Sequence, residues 1–214
     1  MEAEDMSKTE SFERHTEQYE NWFEVHEAVY QSELEAVKML MPEFRKGVEI
    51  GTGTGRFSAP LGIKYGLEPS PKMREIAVKR GIEVIEGVAE NLPFEDCSFD
   101  LVLMVTTICF LDDLDRSLKE VKRILEPGGV FITGFVDRES VLGKIYETHK
   151  KENLFYRDAT FFSTKEIKEA LERKGFSDLA FSQTVYHKLT EITEPEPAKP
   201  GFGEGSFVVI RARK

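Results

Sequence analysis

Three glycines at alternate positions, Gly51, Gly53 and Gly55, follow Val48, Glu49 and Ile50, an apolar run carrying one acid. Glycine permits positive φ and lets a ligand lie against bare backbone, so this pattern suits a buried parallel strand turning sharply into a helix around a ligand. The dinucleotide fingerprint G-x-G-x-x-G would need a glycine where Arg56 stands, and no Gly-Lys-Ser/Thr follows to make a phosphate-binding P-loop. A tight glycine turn with no ligand is the plain alternative. Seventeen residues after Gly51, Glu68 ends the next strand-like stretch, Lys64 to Glu68. An acid there can accept hydrogen bonds from both hydroxyls of a ribose, or can be an ordinary surface acid beside a turn.

With Glu49 two residues ahead of the first glycine, the G-x-G-x-G run resembles motif I of the class I S-adenosylmethionine-dependent methyltransferases. Other stretches are similar to the same family in the same order. Tyr19, Glu20, Asn21, Trp22 and Phe23 resemble its Tyr-Asp-x-Trp-Phe run, with Glu20 where Asp is usual. Glu86 through Phe94 resembles Gly-Asp-Ala-x-x-Leu-Pro-Phe, with Val88 in the Asp position, and Leu125 through Gly129 resembles the Leu-x-Pro-Gly-Gly turn. The resemblance covers about residues 12–136 and is weak beyond them.

The resemblance implies S-adenosylmethionine as cofactor, with S-adenosylhomocysteine as its product. It assigns cofactor contacts to Glu49, Gly51, Thr52, Gly53, Gly55, Arg56, Glu68, Pro69, Ala89, Glu90 and Thr106. Among these, the helix start at Arg56 would face the methionine carboxylate. Glu68 would take the ribose and the Ala89 N–H an adenine ring nitrogen; Glu90 becomes the alternative holder of the adenine amino group, since Val88 replaces the usual Asp. Tyr19, Trp22 and Phe23 would form a lid over cofactor and substrate, or else a helix packed on the sheet edge. The sulfonium is already a good leaving group, so in-line SN2 transfer needs mainly a positioned nucleophile and exclusion of water. A base is required only where the nucleophile carries a proton that must leave, and His26, Tyr19 and Thr106 are the candidates. The implied acceptor is a small molecule; an amine is one candidate, held by Glu20 and Glu24 among the lid aromatics.

Composition bounds these readings. The chain has 214 residues, 40% of them hydrophobic, enough for one domain with a sizeable core. A net charge of −10 disfavours nucleic acid and anionic membranes as partners. No run of 18 apolar residues occurs and the first ten residues are acidic and polar, so a cytoplasmic protein is expected, with those ten frayed. Cys97 and Cys109 have neither metal-ligand nor C-x-x-C spacing, and no metal site is expected.

The elements that must position these residues alternate. Aromatic and apolar residues from Phe12 to Val29 and Tyr30 recur at helical spacing up to Met41, with room for one break, before Pro42. Strands are expected at Gly47–Ile50, Lys64–Glu68, Ile82–Ile85, Phe99–Val105, Val130–Val136, Ala180–His187 and Ser206–Arg213. Helices should run from Arg56 to before Gly62, from Pro71 to Arg80, from Leu114 to Leu125, near Ser140–Lys151 and from Ser163 to before Gly175. This is an α/β, doubly wound Rossmann-like sheet of seven strands, mostly parallel with an antiparallel last strand, behind an N-terminal helical lid. The lid would be residues 1–42 of the same domain, the methyltransferase unit 43–214, and 137–163 an insertion walling the substrate site. A non-catalytic cofactor-binding regulatory module, a nicotinamide oxidoreductase and a scaffold protein are the rival readings.

Overall fold

The computed structural model describes residues 7–214. One sheet runs through the molecule, built from β1 (Gly47–Ile50), β2 (Tyr65–Leu67), β3 (Glu83–Ile85), β4 (Phe99–Val105), β5 (Leu125–Val136), β6 (Ser177–Thr184), β7 (Lys199–Pro200) and β8 (Phe207–Arg213). Their order is β3-β2-β1-β4-β5-β8-β6-β7. Strands β1 to β5 pair in parallel, whereas β8 is antiparallel to both β5 and β6. The order reverses at β1 and β4, and a sheet of this kind opens a crevice for ligands outside the carboxyl ends of those two strands.

Strand β4 is apolar on both faces because both are covered. Leu101, Leu103 and Val105 pack with Val29, Leu34 and Val37 of the N-terminal helices on one side. Val102 and Met104 pack on the other with Leu118 and Val121 of α5 (Leu114–Ile124) and Ile167 and Leu171 of α7 (Thr164–Arg173). The remaining helices are α1 (Ser7–Arg14), α2 (Thr16–Val25), α3 (Glu27–Leu40), α4 (Pro71–Lys79) and α6 (Val141–His149). Among the described residues no helix is long and apolar enough to cross a membrane.

Local chemistry sets several boundaries as the sequence predicts. Ser70 accepts from the Met73 N–H with Pro71 at the first helical position. Asp113 caps α5, and Ser163 with Glu166 forms a complete capping box for α7. The seven expected strands pair as a Rossmann-like sheet, and β7 adds an eighth, two-residue strand in the Pro/Gly-rich loop. Proline is tolerated in β7 because it lies at the sheet edge.

Four local expectations differ from what is observed. The helix predicted from Arg56 is a chain of turns, because Pro60 has no N–H to give the Arg56 carbonyl; that carbonyl accepts instead from the Tyr30 hydroxyl. The Glu126–Gly129 turn lies inside β5 as a bulge: pairing with β4 jumps from Phe99↔Leu125 to Leu101↔Val130. The N-terminal helix is broken twice, at His15 and His26, and α3 covers the sheet face instead of its edge, its Ala36 carbonyl accepting from the Ser182 hydroxyl at 2.7 Å. Of the ten residues expected to fray, 7–10 are helical, since α1 is anchored through Phe12 and Glu13, and 1–6 lie outside the described residues.

Replacing Ser163 with Ala removes the capping box and is expected to lower the unfolding free energy by about 1 kcal/mol, read from urea denaturation.

Candidate functional site

At the carboxyl ends of β1 and β4 the chain encloses a cavity. Its floor is backbone: Gly51 and Gly53, both at positive φ. A Cβ on Gly51 would stand 2.3 Å from Thr107 Cγ2, so only glycine fits beneath that side chain. Gly51 and Thr52 donate their N–H groups to the Leu67 carbonyl, and the Thr107 hydroxyl lies 3.2 Å from the Gly51 carbonyl. The turn is thereby tied to β2 on one side and to the end of β4 on the other. Thr106, at the cavity wall, holds φ of 52°, a costly conformation for a β-branched residue, while its N–H bonds Gly134.

Glu68 enters from the end of β2. Its Oε2 accepts from the Gly53 N–H at 2.8 Å and its Oε1 from the Ser70 N–H at 2.9 Å. Each oxygen keeps a further lone pair, and the residue lines the cavity beside Pro69 and Met73. Burial pushes its carboxyl up to about 7, against the pull of those two N–H groups.

The opposite wall is aromatic. Phe12, Tyr19, Trp22 and Phe23 come from α1 and α2, Tyr146 from α6, and Phe155 and Tyr156 from the segment after it. They interlock, with Phe12 stacked on Phe155 at 5.2 Å between ring centres and Tyr146 stacked on Tyr156 at 5.0 Å. The Tyr19 hydroxyl is within 3.3 Å of where a Gly53 Cβ would be, so ring and glycine turn face each other. Burial and the surrounding acids push the Tyr19 phenol far above its usual range, leaving it a neutral donor.

Polar ties on the outside fasten these helices down. Glu13 accepts from the Ser70 hydroxyl at 2.6 Å and the Lys72 N–H at 3.0 Å, joining α1 to the start of α4. Glu20 accepts from Arg56, Arg80 and the Thr54 hydroxyl. Burial works to raise its carboxyl, but hydrogen bonds from Arg80, Thr54 and Arg56 outweigh that and hold it below the usual range.

The sequence-predicted residues therefore fall into groups. Gly51, Gly53, Glu68, Pro69, Thr106, Tyr19, Trp22 and Phe23 meet at the cavity. Glu49, Thr52, Gly55 and Arg56 stand behind it as support. Glu49 accepts from Ser58, Thr52 donates to the Glu49 carbonyl at 3.0 Å, Gly55 packs against Ala77, and Arg56 pairs with Glu20. Ala89 packs in the core, and Glu90 accepts from the N–H groups of Asp112 and Asp113 at the entry to α5; neither lines the cavity. His26 is also outside it, stacked on Trp22 at the junction of α2 and α3 with Nδ1 3.1 Å from the Trp22 carbonyl oxygen. Glu20 is committed to two arginines and Glu24 is exposed, so the acids expected to hold an amine are placed elsewhere.

Thr107, expected with Thr106 at the carboxyl edge of the sheet beside the reaction centre or else as an ordinary strand-end threonine, also lines the cavity. A lining acid was not foreseen. Glu33 is 6% exposed and lines the cavity from α3. Its signal was available: it stands three residues after Tyr30 and four before Val37, on the apolar stripe of its helix. Among the described residues no group of His, Cys, Asp and Glu could hold a metal ion.

This arrangement of a glycine floor, a strand-end acid and an aromatic cover at a topological switch point is that of an α/β protein with a Rossmann-like ligand cavity. Comparison with known proteins makes the class definite. A methyltransferase-domain family model matches residues 48–133. An uncharacterised protein of Methanocaldococcus jannaschii is 44% identical over 203 residues, spanning 95% of this chain and 98% of that one. A crystal structure from Thermotoga maritima, of a S-adenosylmethionine-dependent methyltransferase named as a possible histamine N-methyltransferase, is 55% identical with a TM-score of 0.94. It covers 96% of this chain and 99% of that one. A demethylmenaquinone methyltransferase of Chlorobaculum tepidum is 36% identical over 127 residues, 55% of this chain and 52% of that one. The chain belongs to the class I S-adenosylmethionine-dependent methyltransferases, and S-adenosylmethionine is its cofactor.

Two outcomes follow from the supporting acids. Burial pushes Glu49 up to about 8, with hydrogen bonds from Ser58 opposing and the Glu68 charge adding. Between the unfolded carboxylate range and about pH 8 the native state then holds a proton that the unfolded chain has lost, so stability falls as pH rises through that window. The thermal midpoint should decline from pH 5 to pH 8, and Glu49→Gln should flatten the decline. Glu20→Ala strands two arginines and is expected to cost about 1–3 kcal/mol in denaturant unfolding.

Proposed function

We propose that this cytoplasmic protein transfers the methyl group of S-adenosylmethionine to a small-molecule acceptor held in the aromatic part of the same cavity. In this reading residues 1–42 act as the lid, 43–214 as the methyltransferase unit, and 137–163 as a wall of the acceptor site. The observation that carries it is continuity: Glu68 and the Gly53 backbone at one end share a single enclosed space with Tyr19, Trp22 and Tyr146 at the other. A regulatory module that only binds the cofactor would have no use for that second compartment. The Thermotoga protein named as a possible histamine N-methyltransferase and the Chlorobaculum demethylmenaquinone methyltransferase support an organic, non-macromolecular acceptor.

The residues present fit the cofactor. Glu68 has lone pairs left to accept from two ribose hydroxyls, and the bare Gly53 backbone leaves room beside it. When bound, S-adenosylmethionine supplies a methyl group on a sulfonium that needs no activation to leave. What the chain contributes is geometry and dryness. The rings from α1, α2 and α6 exclude water, and Thr106 at the end of β4 borders the place where acceptor and methyl group must align. Tyr19, kept protonated, can donate a hydrogen bond but cannot serve as a phenolate base.

Calorimetric titration with S-adenosylhomocysteine and with NAD tests this. The first should bind at micromolar Kd and the second not at all, and Glu68→Ala should weaken binding by about tenfold to a hundredfold. Failure of S-adenosylhomocysteine to bind, or cofactor binding without methyl transfer to any of a broad set of amines, phenols and acids, would sink the reading.

A further inference from the structure

Among the described residues lining the cavity, Glu33 carries an ionisable group for which the fold supplies no partner. Glu33 projects from α3 into the aromatic compartment, 6% exposed, and among the described residues no donor hydrogen-bonds its carboxylate and no cation pairs with it. A buried carboxyl without a partner is costly, and in a core position any apolar residue would serve better. Its neighbours do not relieve it. The titratable groups that its charge affects are Tyr19 of α2, Tyr146 of α6 and Tyr156, all phenols held neutral by burial. Among the described residues no Lys, Arg or His lines the cavity, and its other acid is Glu68. A carboxyl group walled by aromatic faces is an environment for a cation, since ring faces attract positive charge and the carboxyl, ionised when a cation docks beside it, supplies the counter-charge.

We propose that Glu33 is the acceptor-binding residue and that the acceptor is a small primary or secondary amine, whose ammonium group docks between the Glu33 carboxylate and the aromatic wall. The assignment rests on the methyltransferase reading above and narrows it to nitrogen. The proton balance is simple. The ammonium gives one N–H proton to a Glu33 carboxylate oxygen, the N–H bonding pair stays on nitrogen as the lone pair needed for attack, and the ion pair becomes a neutral amine beside a neutral carboxylic acid. Burial alone pushes Glu33 up to about 8, which brings its affinity for that proton closer to an amine's than an exposed carboxylate's would be. Anionic acceptors are disfavoured by the same cavity.

The test compares two probes of the same shape, 2-phenylethylamine and 2-phenylethanol, titrated calorimetrically into the full chain with and without saturating S-adenosylhomocysteine. The wild type should bind the amine about tenfold tighter than the alcohol, and Glu33→Gln should abolish that preference while changing affinity for the alcohol and for S-adenosylhomocysteine by no more than about twofold. Equal affinities in the wild type, no amine binding at millimolar concentration, or an undiminished preference in Glu33→Gln would overturn the assignment. A thermal melt checks that the variant folds, and the wild-type comparison decides without it. Amine preference lost with Glu33→Gln but no binding of S-adenosylhomocysteine would overturn the cofactor reading alone. The reverse would overturn only the role of Glu33.

Discussion

The constraint on which the molecule turns is the absence of a side chain at Gly51. The chain leaves β1 there at positive φ with Thr107 pressed over it, closer than any Cβ could allow. Because the turn can pass beneath Thr107, its N–H groups reach the Leu67 carbonyl and its own carbonyl meets the Thr107 hydroxyl. Three strands are locked at their carboxyl ends by one bend. That bend also sets where Gly53 lies and hence where Glu68 must place its carboxylate.

Around this bend the protein uses charge in two opposite ways. On the outside, Glu13 and Glu20 are spent on polar ties that hold α1 and α2 against the glycine turn and α4. Inside, Glu68 is satisfied by two backbone donors and Glu33 by none. The external acids are kept ionised by their partners. The internal ones, Glu33 and Glu68 at the cavity and Glu49 behind the glycine turn, are driven toward neutrality by burial.

Much of this was legible in the residues. The alternate glycines, the acid seventeen residues on and the Ser70-Pro71 cap each depend on local backbone chemistry, which a sequence carries directly. The order of apolar stretches carried the sheet. What escaped depends on contacts between distant segments. Pro60 frees the Arg56 carbonyl, and the group that takes it up, the Tyr30 hydroxyl, comes from 26 residues earlier in the chain. Glu20 and Glu24 looked like amine ligands until Arg56 and Arg80 claimed the first and solvent the second. Glu33 was overlooked because a lone acid in an acidic helix reads as surface, although its phase on the apolar stripe says otherwise.

The position of β8 has a consequence for how the site comes into being. Residues 207–213 lie between β5 and β6, so the sheet beneath the cavity is complete only when they have inserted. The cavity walls, from Phe12 to Tyr156, belong to segments far apart along the chain. Pairings of such long range form late in folding, after the cost of closing large loops has been met. A ligand that binds only this assembled pocket stabilises the whole native molecule by mass action.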